Sequence, residues 1–148
     1  MRLIQLIYSS EGRHGIDQSA LRSIIEKSQR NNANVGISGT MCFNGTYFLQ
    51  CLEGARDTVN ATYARILRDP LHSDAVILRY REIAARDFPN WSMGYIPSIA
   101  LGRDLVLRFC GTPEFSPAEL SAQAASMLLV EMHRVSIELH GPHASVDV

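Results

Sequence analysis

Residues 35–54 read VGISGTMCFNGTYFLQCLEG, and this stretch decides the fold. Two runs of apolar and β-branched residues flank an Asn-Gly dipeptide, a pair that is typical of tight turns in β-hairpins. We therefore predict strands over residues 35–43 and 46–53, joined by Asn44 and Gly45 as a two-residue turn.

The second strand of this hairpin is apolar on both faces. Its two faces carry Tyr47, Leu49 and Cys51 on one side and Phe48, Gln50 and Leu52 on the other. A strand of this kind is usually central and covered on both sides. Gln50 is then a buried amide, and a buried amide without a partner costs about 1–3 kcal/mol. In the predicted register Gly39 faces Gln50 across the hairpin and leaves room beside it.

The rest of the first hundred residues completes a β-α-β-β-α-β-β order. The further elements are strands at 3–9, 75–83 and 93–96, a helix from Asp17 to about residue 32, and a helix over 57–68. This order predicts an α+β, ferredoxin-like domain with two helices on one face of an antiparallel sheet. We expect strands one and three to be parallel neighbours, which would bring Tyr8 and Gln50 to the same end of the sheet.

A helical extension follows residue 100. We predict a helical turn at 104–109 and a helix from Ser116 to about residue 139, because Ser116 and Glu119 form a capping box around Pro117. Its apolar stripe needs cover, either from the open face of the sheet or from another chain, so a homo-oligomer is expected. The domains are thus residues 1–100 and an extension with a tail over 101–148.

Composition excludes several classes of protein. The chain has 148 residues, of which 46% are hydrophobic and 20% charged, as in one ordinary globular domain. Its net charge of -1 argues against nucleic acid or a membrane surface as a partner. The absence of a long apolar run or a signal-peptide pattern predicts a cytoplasmic protein. Three cysteines without zinc spacing predict free thiols and no metal site.

Four separated blocks carry a resemblance to a known family. They are LIYSS at 6–10, SQRNNANVGISGTMCFNGTYFLQCLEG at 28–54, TYARILRDPLH at 62–72 and DFPNWSMG at 87–94. In this order and spacing they resemble the BLUF family, the blue-light sensors that use flavin, over residues 1–99. Residues 101–148 are similar to the helical extension of short, stand-alone BLUF proteins.

The resemblance implies a flavin, FAD or FMN, held without a covalent bond between the two helices. The matching cofactor-binding positions are Ile24, Asn31, Asn32, Phe48, Gln50, Arg65, Ile66, Asp69 and His72. Ile24 and Ile66 would form aliphatic walls, and an amide such as Asn32 can satisfy both an imide N–H and a carbonyl at the pyrimidine edge. The resemblance places Arg65, Asp69 and His72 near the ribityl chain and phosphate.

The resemblance also implies a mechanism. Blue light would drive electron and proton transfer from Tyr8, and the hydrogen bonds of Gln50 would rearrange. Trp91 and Met93 match the strand that passes the change outward. The protein would have no catalytic activity and would signal to a separate downstream protein.

Other interpretations remain open from the residues alone. A small flavin oxidoreductase would need substrate access to the flavin, which Gln50 and Tyr8 would crowd. An acylphosphatase-type hydrolase rests on fold analogy and lacks a phosphate-cradling loop. Arg65 and Asp69, spaced i and i+4, could form only a surface ion pair. Trp91 could be ordinary core packing.

Overall fold

The computed structural model describes residues 2–91, 93–96 and 102–140, with side chains up to residue 137 in the last segment. The elements are β1 (Leu3–Gly12), α1 (Gln18–Asn34), β2 (Ser38–Phe43), β3 (Tyr47–Ala55), α2 (Arg56–Arg68), β4 (His72–Glu82), β5 (Gly94–Ile96), α3 (Arg103–Phe109), a 3-10 turn (Pro117–Glu119) and α4 (Ala122–His140). No helix in this described part is long and apolar enough to cross a membrane. The predicted domain boundary at residue 100 lies outside the described residues.

The five strands form one sheet in the order β4-β1-β3-β2-β5. β1 is antiparallel to β3 and β4, β2 is antiparallel to β3, and the short β5 joins β2 in parallel. The α+β, ferredoxin-like fold with a helical extension is therefore confirmed.

The prediction that β1 and β3 run parallel is wrong. After the crossover through α1, β2 runs in the same direction as β1. The hairpin then reverses the chain, and β3 lies between β1 and β2. β3 must therefore oppose β1. Tyr8 and Gln50 nevertheless meet, because antiparallel pairing sets them directly opposite each other.

The hairpin register also differs from the prediction. Phe43 pairs with Phe48, so residues 44–47 separate the last paired positions, where the prediction had only Asn44 and Gly45 in a two-residue turn. The side-chain oxygen of Asn44 accepts hydrogen bonds from the backbone N–H groups of Thr46 at 3.0 Å and Tyr47 at 2.8 Å, which stabilises the longer loop.

Met41, and not Gly39, consequently faces Gln50 across the hairpin. The observed register differs from the predicted one by two positions. Because side chains alternate between the faces of a strand, an even shift leaves every side chain on its predicted face. Gly39 is instead required where β2 approaches β3, since a Cβ there would overlap the backbone carbonyl oxygen of Cys51. The cysteines of the described chain, Cys42, Cys51 and Cys110, are free, as predicted.

Two hydrophobic clusters cover the two faces of the sheet. On one face α1 and α2 pack through Leu21, Ile25 and Val59 against a cluster that includes Tyr8 and Phe48. α1 begins at the predicted N-cap, where the Asp17 carboxylate accepts the Ala20 N–H at 2.8 Å. On the other face the buried residues of β1, β2 and β3 contact the C-terminal helices.

The C-terminal segment departs from the prediction at its start. Ser116 precedes only a 3-10 turn, because Leu120 returns to extended backbone with ψ of 142° and ends it. The Ser116 side chain makes no capping hydrogen bond. α4 begins after Ser121, whose hydroxyl oxygen accepts the Ala124 N–H at 3.0 Å. The buried side of α4 then packs on the second face of its own sheet, one of the two covers expected for this stripe.

The close approach at Gly39 gives a test of the register. We expect Gly39→Ala to lower the free energy of unfolding by about 2–3 kcal/mol, because neither strand backbone can move away without breaking the ladder. Urea unfolding followed by circular dichroism measures this. Gly102→Ala is the matched control, since the space around Gly102 is open; equal stability losses in both variants would contradict the register.

Candidate functional site

A cleft of about 130 Å³ opens between α1, α2 and β3, several times the space that one water needs. Its lining residues are Ile24, Lys27, Ser28, Asn31, Asn32, Met41, Gln50, Leu52, Thr62, Arg65, Ile66, Asp69, Leu71 and His72. The two helices supply its walls and the sheet supplies its floor. The cleft is therefore sized for a small organic group and has both apolar and polar sides.

The polar end of the α1 wall comes from the last turn of that helix. Asn32 is 3% exposed, and its backbone carbonyl accepts the N–H groups of Val35 at 3.1 Å and Ile37 at 3.0 Å. These two bonds end the helix and hold Asn32 at the cleft. Asn31 and Asn32 thus bring two amides to the α1 wall, and α2 supplies the aliphatic side chain of Ile66 to the same cleft.

Charged residues also line the cleft. Lys27 and Arg65 are exposed cations on its lining. Asp69 does not form the surface ion pair with Arg65 considered from the sequence; its carboxylate accepts the Leu71 N–H at 2.9 Å. Two cations at the mouth suit an anionic group on a bound ligand.

His72 lines the cleft and also contacts the core. Its Nδ1 and the Ser10 hydroxyl are 2.8 Å apart, and its ring centroid is 4.7 Å from that of Phe48. Burial lowers the pKa of His72, while nearby Asp69 opposes that shift. The ring therefore favours its neutral form in the folded protein.

A hydrogen-bonded pair stands at the floor of the cleft. The phenol of Tyr8, which is fully buried, donates to Gln50 Oε1. Burial, with smaller effects of Tyr63 and Asp69, raises the pKa of Tyr8 far above its ordinary value, so the phenol keeps its proton. Gln50 is 4% exposed and lines the cleft, whereas Tyr8 lies behind it.

The other end of the Gln50 amide contacts Met93. Gln50 Nε2 is 3.5 Å from the Met93 sulfur, and Gln29 on α1 donates to the Met93 carbonyl at 3.0 Å. Met93 belongs to the cluster on the cleft face. Trp91 lies in the cluster on the other face, where its ring centroid is 4.2 Å from that of His133 on α4. Trp91 and Met93 therefore occupy opposite sides of the sheet.

The cleft collects nearly every cofactor position expected from the sequence. Phe48 is the exception: it is fully buried, stacked on Phe43 at 4.3 Å, and does not line the cleft. The sequence reasoning missed Lys27, Ser28, Met41, Leu52, Thr62 and Leu71. Thr62 could have been found from the helical spacing to Ile66, but Met41 required the correct hairpin register.

The lowered pKa of His72 predicts a pH dependence of stability. The unfolded chain binds a proton near pH 6.5, the ordinary value, and the folded chain binds it only at lower pH. Stability should therefore fall as the pH drops below about 6.5. We expect His72→Gln to reduce this slope. The measurement is the thermal unfolding midpoint as a function of pH over about 5 to 7.5, which spans the usual titration range of histidine.

His14→Gln is the control for this experiment, because His14 is exposed in the loop after β1. It should leave the slope unchanged. A wild-type slope that also persists in His72→Gln would mean that other groups, such as the half-buried His133, dominate the pH dependence.

Known proteins resemble this chain in sequence and in fold. The photoactivated adenylate cyclase subunit beta of Euglena longa is 32% identical over 92 residues, which are 62% of this chain and 11% of that protein. The blue light- and temperature-regulated antirepressor BluF of Escherichia coli (strain K12) is 31% identical over 106 residues, or 72% of this chain and 26% of that protein. This chain therefore spans only a small part of the length of these relatives.

A solved structure covers more of the chain. BlsA in its photo-activated state matches with a TM-score of 0.79 and 26% identity, over 88% of this chain and 94% of that one. The family model described as "BLUF: Sensors of blue-light using FAD" matches residues 3–94. The chain belongs to the BLUF family of blue-light sensors that use FAD.

Proposed function

We propose that the cleft between α1 and α2 holds the FAD without a covalent bond, and that Tyr8 and Gln50 convert its excitation into a change of hydrogen bonds. The observation that carries this proposal is the continuous path from Tyr8 through the Gln50 amide to Met93, placed at the floor of the cleft.

The lining residues fit a flavin. A flavin ring is flat, apolar on its faces, and polar along one edge. Ile24 and Ile66 offer aliphatic surface, and the amides of Asn31 and Asn32 offer both donors and acceptors for the edge. Arg65, Asp69 and His72 line the same cleft and offer a cation and hydrogen-bonding groups for the ribityl chain and phosphate. Phe48 would act only indirectly, by packing against His72.

The proposed chemistry starts at Tyr8. Bound flavin supplies blue-light absorption and an excited state that accepts an electron. Tyr8 is the donor, and its phenolic proton has one direct route, the hydrogen bond to Gln50 Oε1. Because burial disfavours a charged tyrosine, the loss of an electron and the shift of that proton should be coupled.

Gln50 then gives the protein two states. An amide has a donor end and an acceptor end, so reversal or tautomerisation of the side chain exchanges what Tyr8 and Met93 contact. Both arrangements lie in a dry, buried site where an unmade hydrogen bond is costly, which favours two discrete states over a continuum. The altered contact with Met93 is the first step away from the cleft.

The output passes, in this proposal, from residues 1–100 to the extension over 101–148. Trp91, two residues before Met93, contacts His133 of α4, which links the switching strand to the extension. The relatives are named as a photoactivated cyclase and an antirepressor, which suggests varied outputs for this kind of sensor. We infer that this chain acts by binding to a separate signalling protein and not by catalysis. Met127 and Val130 remain exposed on α4 and are what supports assembly as a homo-oligomer.

A flavin oxidoreductase is the weaker candidate. It would require an open approach to the reactive part of the flavin ring. The floor of the cleft is instead closed by Gln50, with Tyr8 and Met93 buried behind it. This crowding favours a sensor.

Spectra of matched variants test the roles of the pair. Tyr8→Phe removes only the hydroxyl, and Gln50→Leu only the amide, so both should still bind flavin. We expect blue light to shift the main flavin band of the wild type slightly to the red, with recovery in darkness, and to produce no stable shift in either variant. A normal light-induced shift in Tyr8→Phe would remove Tyr8 from the mechanism.

Flavin retention tests the binding edge. We expect Asn32→Ala to raise the dissociation constant for FAD roughly tenfold or more, because a buried polar edge would lose its partners. Fluorescence titration of flavin into stripped protein measures this. Asn34→Ala is the control, since Asn34 is an exposed amide at the end of the same helix; equal affinities of the two variants would place the flavin edge elsewhere.

A further inference from the structure

A buried carboxylate lies on the side of the sheet opposite the cleft. Glu53 is 0% exposed and follows Gln50 by three positions on β3, so the two side chains point to opposite faces. Glu53 shares its face with Leu49 and Cys51, which belong to the cluster beneath the C-terminal helices. A carboxylate in such a place persists only where donors surround it.

Three donors meet the two oxygens of Glu53. Oε1 accepts the backbone N–H of Phe88 at 2.8 Å, and Oε2 accepts the backbone N–H of Asp87 at 3.0 Å. Gln5 Nε2, directly across β1, donates to Oε2 at 2.9 Å. The carboxylate therefore holds two consecutive amides of the loop between β4 and β5.

Further bonds fasten the same loop. Gln5 Nε2 also donates to the Asp87 carboxylate at 2.9 Å. Arg86 donates to the Glu53 backbone carbonyl at 3.1 Å, to the Ser38 hydroxyl at 2.7 Å, and to the Gly36 carbonyl at 2.7 Å. Residues 86–88 (the 86–88 loop) are thus bound to β1, to β3 and to the start of β2 together.

The 86–88 loop leads directly into the strand that contacts Gln50. Trp91 is three residues beyond Phe88, and its backbone carbonyl accepts the Gly39 N–H at 2.9 Å. β5 itself has only three residues, each paired with β2. A strand this short has few bonds of its own to set its position. Gln29 fixes the Met93 carbonyl, and the 86–88 loop sets where the chain enters this segment, so the placement of Met93 against Gln50 depends on both.

We propose that Glu53 is a positioning residue of the photoswitch: its buried carboxylate holds the 86–88 loop and thereby seats Met93 against the Gln50 amide. This inference rests on the proposed function, in which the Gln50–Met93 contact distinguishes the two states. Glu53 does not line the cleft; it acts through the loop and the start of β5.

The chemistry of a carboxylate matters here. Glu53 offers acceptors on both oxygens to three N–H donors. A glutamine at this position keeps the shape but replaces one acceptor with an NH₂ group that faces an N–H donor. Glu53→Gln should therefore release one side of the loop while leaving the volume of the core unchanged. Glu53→Asp withdraws the carboxylate by one methylene and should weaken its bonds to the backbone N–H groups of Asp87 and Phe88.

The test uses the full chain with bound flavin, in the dark and after blue light. In Glu53→Gln we expect the Asp87 and Phe88 amides to exchange with solvent roughly tenfold faster in the dark, the scale for a buried donor that loses its acceptor. We also expect dark recovery of the flavin band to accelerate by at least about threefold. The reason is that a loosened Met93 resists the return of Gln50 less.

Ile4→Val is the control, because Ile4 is 1% exposed on β1, does not line the cleft and belongs to the cluster on the other face of the sheet from Glu53. Where Ile4→Val and Glu53→Gln lose the same thermal stability, Ile4→Val should leave the exchange of the Asp87 and Phe88 amides and the recovery rate of the flavin band at wild-type values. Recovery in Glu53→Gln that equals recovery in Ile4→Val would overturn the proposal, since Glu53 would then contribute stability alone.

The outcomes separate this proposal from the proposed function. A wild type without any light-induced shift refutes the proposed function, and with it the role of Glu53. A wild type that shifts, with a Glu53→Gln variant that recovers normally, refutes only the role of Glu53. If Glu53→Gln does not fold, Glu53→Asp takes its place. If neither folds, exchange in the wild type decides: amides of Asp87 and Phe88 that exchange as fast as an exposed loop overturn the proposal, and protection equal to that of β3 supports it.

Discussion

The structure depends on one hydrogen bond between two buried side chains, the phenol of Tyr8 and the amide of Gln50. Tyr8 is fully buried and Gln50 is 4% exposed, so each satisfies a polar group of the other that would otherwise be costly to bury. Antiparallel pairing of β1 and β3 sets the two residues opposite each other in the middle of the sheet. The centre of the sheet therefore carries the contact that rearranges in the proposed mechanism.

β3 serves both faces of the sheet. Toward the helices it presents Gln50 to the cleft, and toward the C-terminal extension it presents Glu53 to the 86–88 loop. The chain after that loop passes from Trp91, against α4, to Met93, against Gln50. On β3, Gln50 is thus three positions from Glu53, the residue that we propose holds the segment containing Met93. This arrangement gives a short physical path from the cleft to the extension.

Apolar periodicity and turn residues were enough to predict the order of elements, and the two apolar faces of β3 predicted its central place and the burial of Gln50. The resemblance then supplied most of the positions that line the cleft. The hairpin register was missed for a local reason: the Asn44 side chain stabilises a longer loop, which moves Met41 opposite Gln50. The role of Glu53 could not be read from the sequence, because its donors include backbone groups more than thirty residues away, and backbone N–H groups leave no residue pattern. The true cap of α4 at Ser121 was hidden by a stronger pattern at Ser116.

The most direct measurement is a light-minus-dark infrared difference spectrum of the wild type carrying ¹³C-labelled glutamine side chains, set against the same spectrum of the unlabelled protein. We expect a carbonyl or C=N band of one glutamine to change with light and to move on labelling, since the Gln50 amide exchanges its partners. Light-induced bands that belong to the flavin and backbone alone, with none that moves on glutamine labelling, would contradict the claim that Gln50 is the switch.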